Sequence, residues 1–84
     1  MMTISENLKT FMQNELINGT VTLNNDDDLL LSGLIDSLGV VRLIAFIEQT
    51  FDTHIPPEDV TIENFGTVQS IADYIQSRFS IANS

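Results

Sequence analysis

Apolar residues recur at helical spacing in three long stretches and one short one, and a long polar segment separates the first from the second. Thr3 followed by Glu6 fits a capping box, and Leu8, Phe11, Met12 and Leu16 repeat behind it, which predicts an amphipathic helix from about Thr3. Asn18-Gly19 supplies its stop, because both residues tolerate the left-handed conformation after a helix end. A second helix is predicted over roughly Ser37 to Phe51. Val40, Leu43, Ile44, Ile47 and Phe51 follow the i, i+3, i+4, i+7, i+11 rule and form its core face. Leu38, Val41 and Ala45 make a second stripe, roughly 120° away at about 100° per residue, bordered by Arg42, Glu48 and Gln49. Burying both stripes needs neighbours on two sides. Leaving the second one bare creates a small apolar patch beside Ser37, the mark of a docking surface.

Beyond Phe51, His54-Ile55-Pro56-Pro57 breaks the helix. Glu58 to Phe65 allows one or two helical turns, with Val60, Ile62 and Phe65 as the inward candidates, and Gly66 stops them. Thr67 then caps a last helix in which Val68, Ile71, Ala72, Ile75 and Phe79 repeat the core pattern, with Ser80 to Ser84 fraying. From about Thr20 to Asp36 no helical period is sustained. Val21 and Leu23 alternate with polar residues, but no partner strand pattern exists, so the segment is predicted as a long loop with its apolar residues tucked onto the helices. The expected fold is all-α: a small four-helix bundle of three longer helices and one short one, with a long loop between helices one and two.

Composition narrows the class. The chain of 84 residues allows one domain, residues 1–84, and a hydrophobic fraction of 43% suits a folded one. With no cysteine, apolar burial must hold the fold. No apolar run approaches the ~20 residues that span a bilayer, and Met1 to Glu6 lacks the basic start of a signal peptide, so a cytoplasmic monomer is expected. Twelve acids against Lys9, Arg42 and Arg78 give a net charge of −9, which repels phosphate backbones and anionic lipid. Nucleic acid and membrane are therefore poor partners, whereas basic patches on other proteins attract such a surface.

Candidate chemistry is sparse. Asn24 to Asp28 fails as a calcium loop, since the alternate positions from Asp26 are Asp28 and Leu30 and no glycine follows at the turn, so a solvated acidic turn is expected and no metal. A nucleophilic pair of Ser37 with His54, the only histidine, lacks the glycine that Gly-x-Ser-x-Gly needs at position 35, where isoleucine stands. No catalytic residue is assigned. Asp36-Ser37-Leu38 opens the second helix, where either Asp36 or Ser37 suits the N-cap.

That motif, in its place after a long loop and before Phe51, a short third helix and Val60-Thr61-Ile62-Glu63-Asn64-Phe65-Gly66-Thr67, resembles the acyl carrier and peptidyl (aminoacyl) carrier protein family over essentially the whole chain. The resemblance implies that a phosphopantetheinyl transferase moves 4′-phosphopantetheine from coenzyme A onto Ser37. The arm's thiol then holds an acyl or aminoacyl group as a thioester. By the same resemblance, Asp36 and Leu38 flank the attachment point, Asp36 assists the transferase, and Leu38, Val41, Arg42 and Ala45 dock partner enzymes. Carriers of ordinary fatty acid synthesis place acids after Asp-Ser-Leu and along helix two, whereas here Gly39, Val40, Arg42 and Gln49 stand there. The pattern looks more like a stand-alone carrier of a specialised, nonribosomal peptide or polyketide-like pathway. Such carriers are served by a loading (adenylating) enzyme or acyltransferase and by downstream synthase or tailoring enzymes. A fatty acid synthesis carrier is the alternative, and an acidic helical adaptor without a prosthetic group is a further one.

Overall fold

The computed structural model describes residues 3–16 and 23–79. Helix α1 spans Ile4–Phe11 and starts as the sequence predicts. Glu6 N–H donates to Thr3 Oγ1 at 3.1 Å while Thr3 N–H donates to the Glu6 carboxylate at 3.0 Å, so two otherwise orphaned donors are satisfied reciprocally. Its inner side buries Ile4 and Leu8, and the chain continues as a wider π-helical stretch, Met12–Leu16, in which Met12 is also buried. The predicted stop at Asn18-Gly19, the loop's first residues Thr20 and Val21, and the fraying Ser80 to Ser84 lie outside the described residues.

Helix α2 spans Ser37–Phe51. Leu43 and Ile47 are fully buried, with Val40, Ile44 and Phe51 partly covered beside them, so the assigned core face points inward. The helix ends at Asp52, whose φ of 53° is left-handed. A single 3-10 turn, Pro57–Asp59, leads to helix α3, Ile62–Phe65, which Thr61 caps by accepting from Asn64 N–H at 3.1 Å. Phe65 fills the space under α3, whereas Ile62 is 56% exposed and does not point inward as the pattern suggested. α3 is only four residues long, and Ile62 opens it directly after extended Thr61, which leaves it on the rim.

Helix α4 spans Val68–Phe79 and buries Val68, Ile71, Ala72 and Ile75. Thr67 Oγ1 accepts from Ser70 N–H at 3.0 Å and serves as its cap. The loop before α2 folds back onto the bundle through buried Leu23, Leu29 and Ile35. Its backbone is tied to the α3–α4 junction, with Leu29 N–H donating to Gly66 at 2.7 Å and Gln69 N–H to Asn25 at 2.8 Å. Its acids close turns: Asp27 accepts from Asn24 N–H and Asp28 from Leu31 N–H, both at 2.9 Å. Among the described residues there are four α-helices, three long and one short, and no strand. The all-α bundle with a long first loop is the observed fold.

Candidate functional site

The head of α2 is built by three consecutive residues with different duties. Ile35 is buried and its N–H donates to Leu29 at 3.0 Å, which fixes the chain's approach. Asp36 is extended, with φ −93° and ψ −175°, and its Oδ1 accepts from Gly39 N–H at 2.8 Å. The cap is therefore Asp36. Ser37, which the sequence equally allowed as the cap, is the first helical residue and is released from capping.

Gly39 makes this geometry possible. A Cβ there would lie 2.8 Å from Ile35 Cγ2 and 3.3 Å from the Asp36 carboxylate, so only glycine lets the first turn close over Ile35. Ser37 is exposed, and its hydroxyl has no hydrogen-bond partner among the described residues. The N–H groups of Ser37 and Leu38 precede the first intrahelical bond and stay open, at the positive end of a 15-residue helix. A free hydroxyl flanked by open N–H donors suits the esterification of a phosphate, which these donors and the helix dipole would stabilise. The residues present fit a phosphate-linked prosthetic group.

His54 sits beyond the opposite end of α2, which is roughly 22 Å long at ~1.5 Å per residue. Its Nδ1 lies 3.3 Å from the Glu48 carboxylate, which also accepts from Ile55 N–H at 2.8 Å. Ser37 and His54 therefore form no nucleophilic pair.

The second stripe of α2 is bare: Leu38 is 67% and Val41 62% exposed, and Ala45 is exposed with them. Arg42 stands beside it but is engaged, donating to the Glu15 carbonyl at 3.1 Å and approaching the Glu15 carboxylate at 3.5 Å. Sequence gives no sign of that bond, because its partners are 27 positions apart. Also missed is a polar cluster on the α3–α4 side. Tyr74 donates to the Asp59 carboxylate at 2.6 Å, and Arg78 Nε lies 3.4 Å from the same oxygen. Burial first, then the hydrogen bond to Asp59 and its charge, push the Tyr74 hydroxyl up to about 12.

Comparison with solved structures gives the class. The fold superposes on the holo acyl carrier protein of Nitrosomonas europaea with a TM-score of 0.78 and 25% identity, covering 95% of this chain and 100% of that one. A chain from a crystal structure of an FAD-dependent dehydrogenase matches with a TM-score of 0.75 and 33% identity, over 81% of this chain and 97% of that one. The molecule thus has the carrier fold. The family model described as "Phosphopantetheine attachment site" matches residues 10–75, and the chain belongs to that family. The D-alanyl carrier protein of Lactococcus lactis subsp. cremoris is 33% identical over 66 residues, covering 76% of this chain and 84% of that protein. The Streptococcus pyogenes serotype M5 protein of the same name is 35% identical over 51 residues. The chain is accordingly a carrier protein, non-catalytic itself, whose cofactor is covalent 4′-phosphopantetheine. Carriers of this family work with a phosphopantetheinyl transferase and with acyl-handling enzymes. Among the described residues no helix is long and apolar enough to cross a membrane.

Proposed function

We propose that Ser37 is the attachment residue and that the protein, a single carrier domain over residues 1–84, holds an aminoacyl or related acyl cargo in a specialised pathway. The observation that carries this is the exposed, unpartnered Ser37 hydroxyl beside open first-turn N–H groups. When bound, the arm supplies a thiol that holds the cargo as a thioester. Asp36 sets the helix start and leaves Ser37 outward. Leu38, Val41 and Ala45 offer partner enzymes an apolar face, with Arg42 at its edge.

Two observations favour this pathway class over ordinary fatty acid synthesis. The similar carriers bear the name D-alanyl, an aminoacyl cargo. The only acid on α2 is Glu48, which is turned to His54 and Ile55, so the exposed face offers no row of carboxylates to a basic partner. A separate adenylating enzyme is the fitting loader.

Intact mass after incubation with coenzyme A, magnesium and a broad-specificity phosphopantetheinyl transferase tests the assignment. One added phosphopantetheinyl group is expected, absent in Ser37→Ala. No gain in a folded protein, or a gain that persists in Ser37→Ala, would overturn Ser37 as the attachment residue.

A further inference from the structure

A cleft beside Ser37 has no part in that reading. It has a volume of about 230 Å³ and lies between the end of the first helical stretch and the head of α2. Leu16, Leu34, Ile35 and Leu38 give it apolar walls, and Asp36 and Arg42 line it with them. Ser37 lies between Asp36 and Leu38, which both line the cleft, so a group carried on its hydroxyl starts within reach of it.

Size limits the occupant. Sites for whole small molecules start at ~300 Å³, so this cleft takes one segment of an attached group and not a complete cargo. Chemistry limits it further. The walls ask for branched apolar carbon, and Arg42 offers a donor. Arg42 is held in place by the Glu15 carbonyl at 3.1 Å and the Glu15 carboxylate at 3.5 Å, which engage its two terminal nitrogens. A guanidinium has about five N–H donors, so one fixed in this way still has donors free for a carbonyl oxygen.

We infer that the cleft seats the first, pantoyl segment of the phosphopantetheine arm, and this rests on attachment at Ser37. In that segment a quaternary carbon with two methyl groups follows the phosphate, and a hydroxyl and an amide carbonyl follow the carbon. The methyls lie against Leu16, Leu34 and Leu38, and the carbonyl faces Arg42. Seated there, the arm leaves Val41 and Ala45 bare, so a partner can dock on α2 before the cargo is drawn out.

Isotope-edited NMR of the holo protein tests this, with intact mass taken on the same sample. The expected result is the added mass, nuclear Overhauser contacts from the pantoyl methyls to the Leu16 and Leu34 side chains, and amide shifts at Leu16, Leu34 and Arg42 on conversion from apo to holo. Leu34→Ala, at a half-buried position packed on the core, should keep the mass gain and a cooperative melt at somewhat lower temperature but weaken the contacts to Leu16. The added mass without methyl contacts, or Leu16 contacts unchanged in Leu34→Ala, would overturn the cleft assignment alone. No added mass would overturn attachment at Ser37 and the cleft assignment with it.

Discussion

Replacing Gly39 by alanine sets helix propensity against packing. At an ordinary interior helix position the change stabilises by ~1 kcal/mol, because glycine surrenders more backbone freedom on folding. Here the new Cβ would sit 2.8 Å from Ile35 Cγ2, roughly 1 Å inside the ~3.5–4.0 Å at which carbon atoms rest. Ile35 is only 4% exposed, so it has no solvent to turn into. Overpacking of this kind costs about 1–3 kcal/mol. The Asp36 carboxylate, 3.3 Å from the same Cβ, is also crowded off its bond to the residue 39 N–H, at a cost of up to ~1 kcal/mol. With the cap bond lost in full, its ~1 kcal/mol cancels the propensity gain and the net loss is about 1–3 kcal/mol. At ~4–8 °C per kcal/mol for a domain of this size, Tm should fall by roughly 5–20 °C in circular dichroism melts. A variant that melts at or above the wild-type temperature would refute the reasoning, and would mean that the first turn has room above Ile35.

Val41→Asp should leave stability within ~0.5 kcal/mol in equilibrium unfolding, since Val41 is 62% exposed, while slowing loading by a partner enzyme. Leu43→Ala, two residues on and 1% exposed, should cost ~2–5 kcal/mol, and equal losses in the two variants would contradict the assignment of the two faces. Tyr74 is the only tyrosine, so its ionisation is read directly from tyrosinate absorbance. Its folded value, about 12, lies above the ordinary tyrosine value of 10.0, so its contribution to stability is full below pH 10 and is lost as pH climbs toward about 12. Asp59→Asn should move the native midpoint down, and an unchanged midpoint would sever the link to Asp59.

The helices were legible because their signals are local. Apolar periodicity fixed the inner face of α2, the Thr3/Glu6 pair marked the start of α1, and Thr67 marked α4. Ile62 departs from the expected inward position because a four-residue helix is too short for periodicity to discriminate. Asp36 and Ser37 are equally good caps by residue type, and the choice between them depends on the burial of Ile35 and the close approach at Gly39, which are three-dimensional facts. Gly39 itself registered only as a departure from acid-rich carriers, while the structure shows it to be a steric requirement. The Arg42 tether, the Asp59–Tyr74–Arg78 cluster and the closure of the loop on Gly66 join residues far apart in sequence, and no local pattern announces them.

The lead-in to Ser37 is held by residues that come much later in the chain, with Asn25 and Gln69 44 positions apart. Non-local closures of this kind form late in folding, because the loop entropy must be met before the contact stabilises anything. α2 depends on local bonds and can form earlier, so pulsed amide exchange during refolding should protect Leu43 before Leu29 and Gln69. Simultaneous protection would mean that the bundle and the loop condense together. In the sequential order, a chain still being synthesised carries its serine on a helix whose approach is not yet set. On the proposed attachment at Ser37, a transferase that needs the approach set would modify finished molecules and pass over incomplete ones.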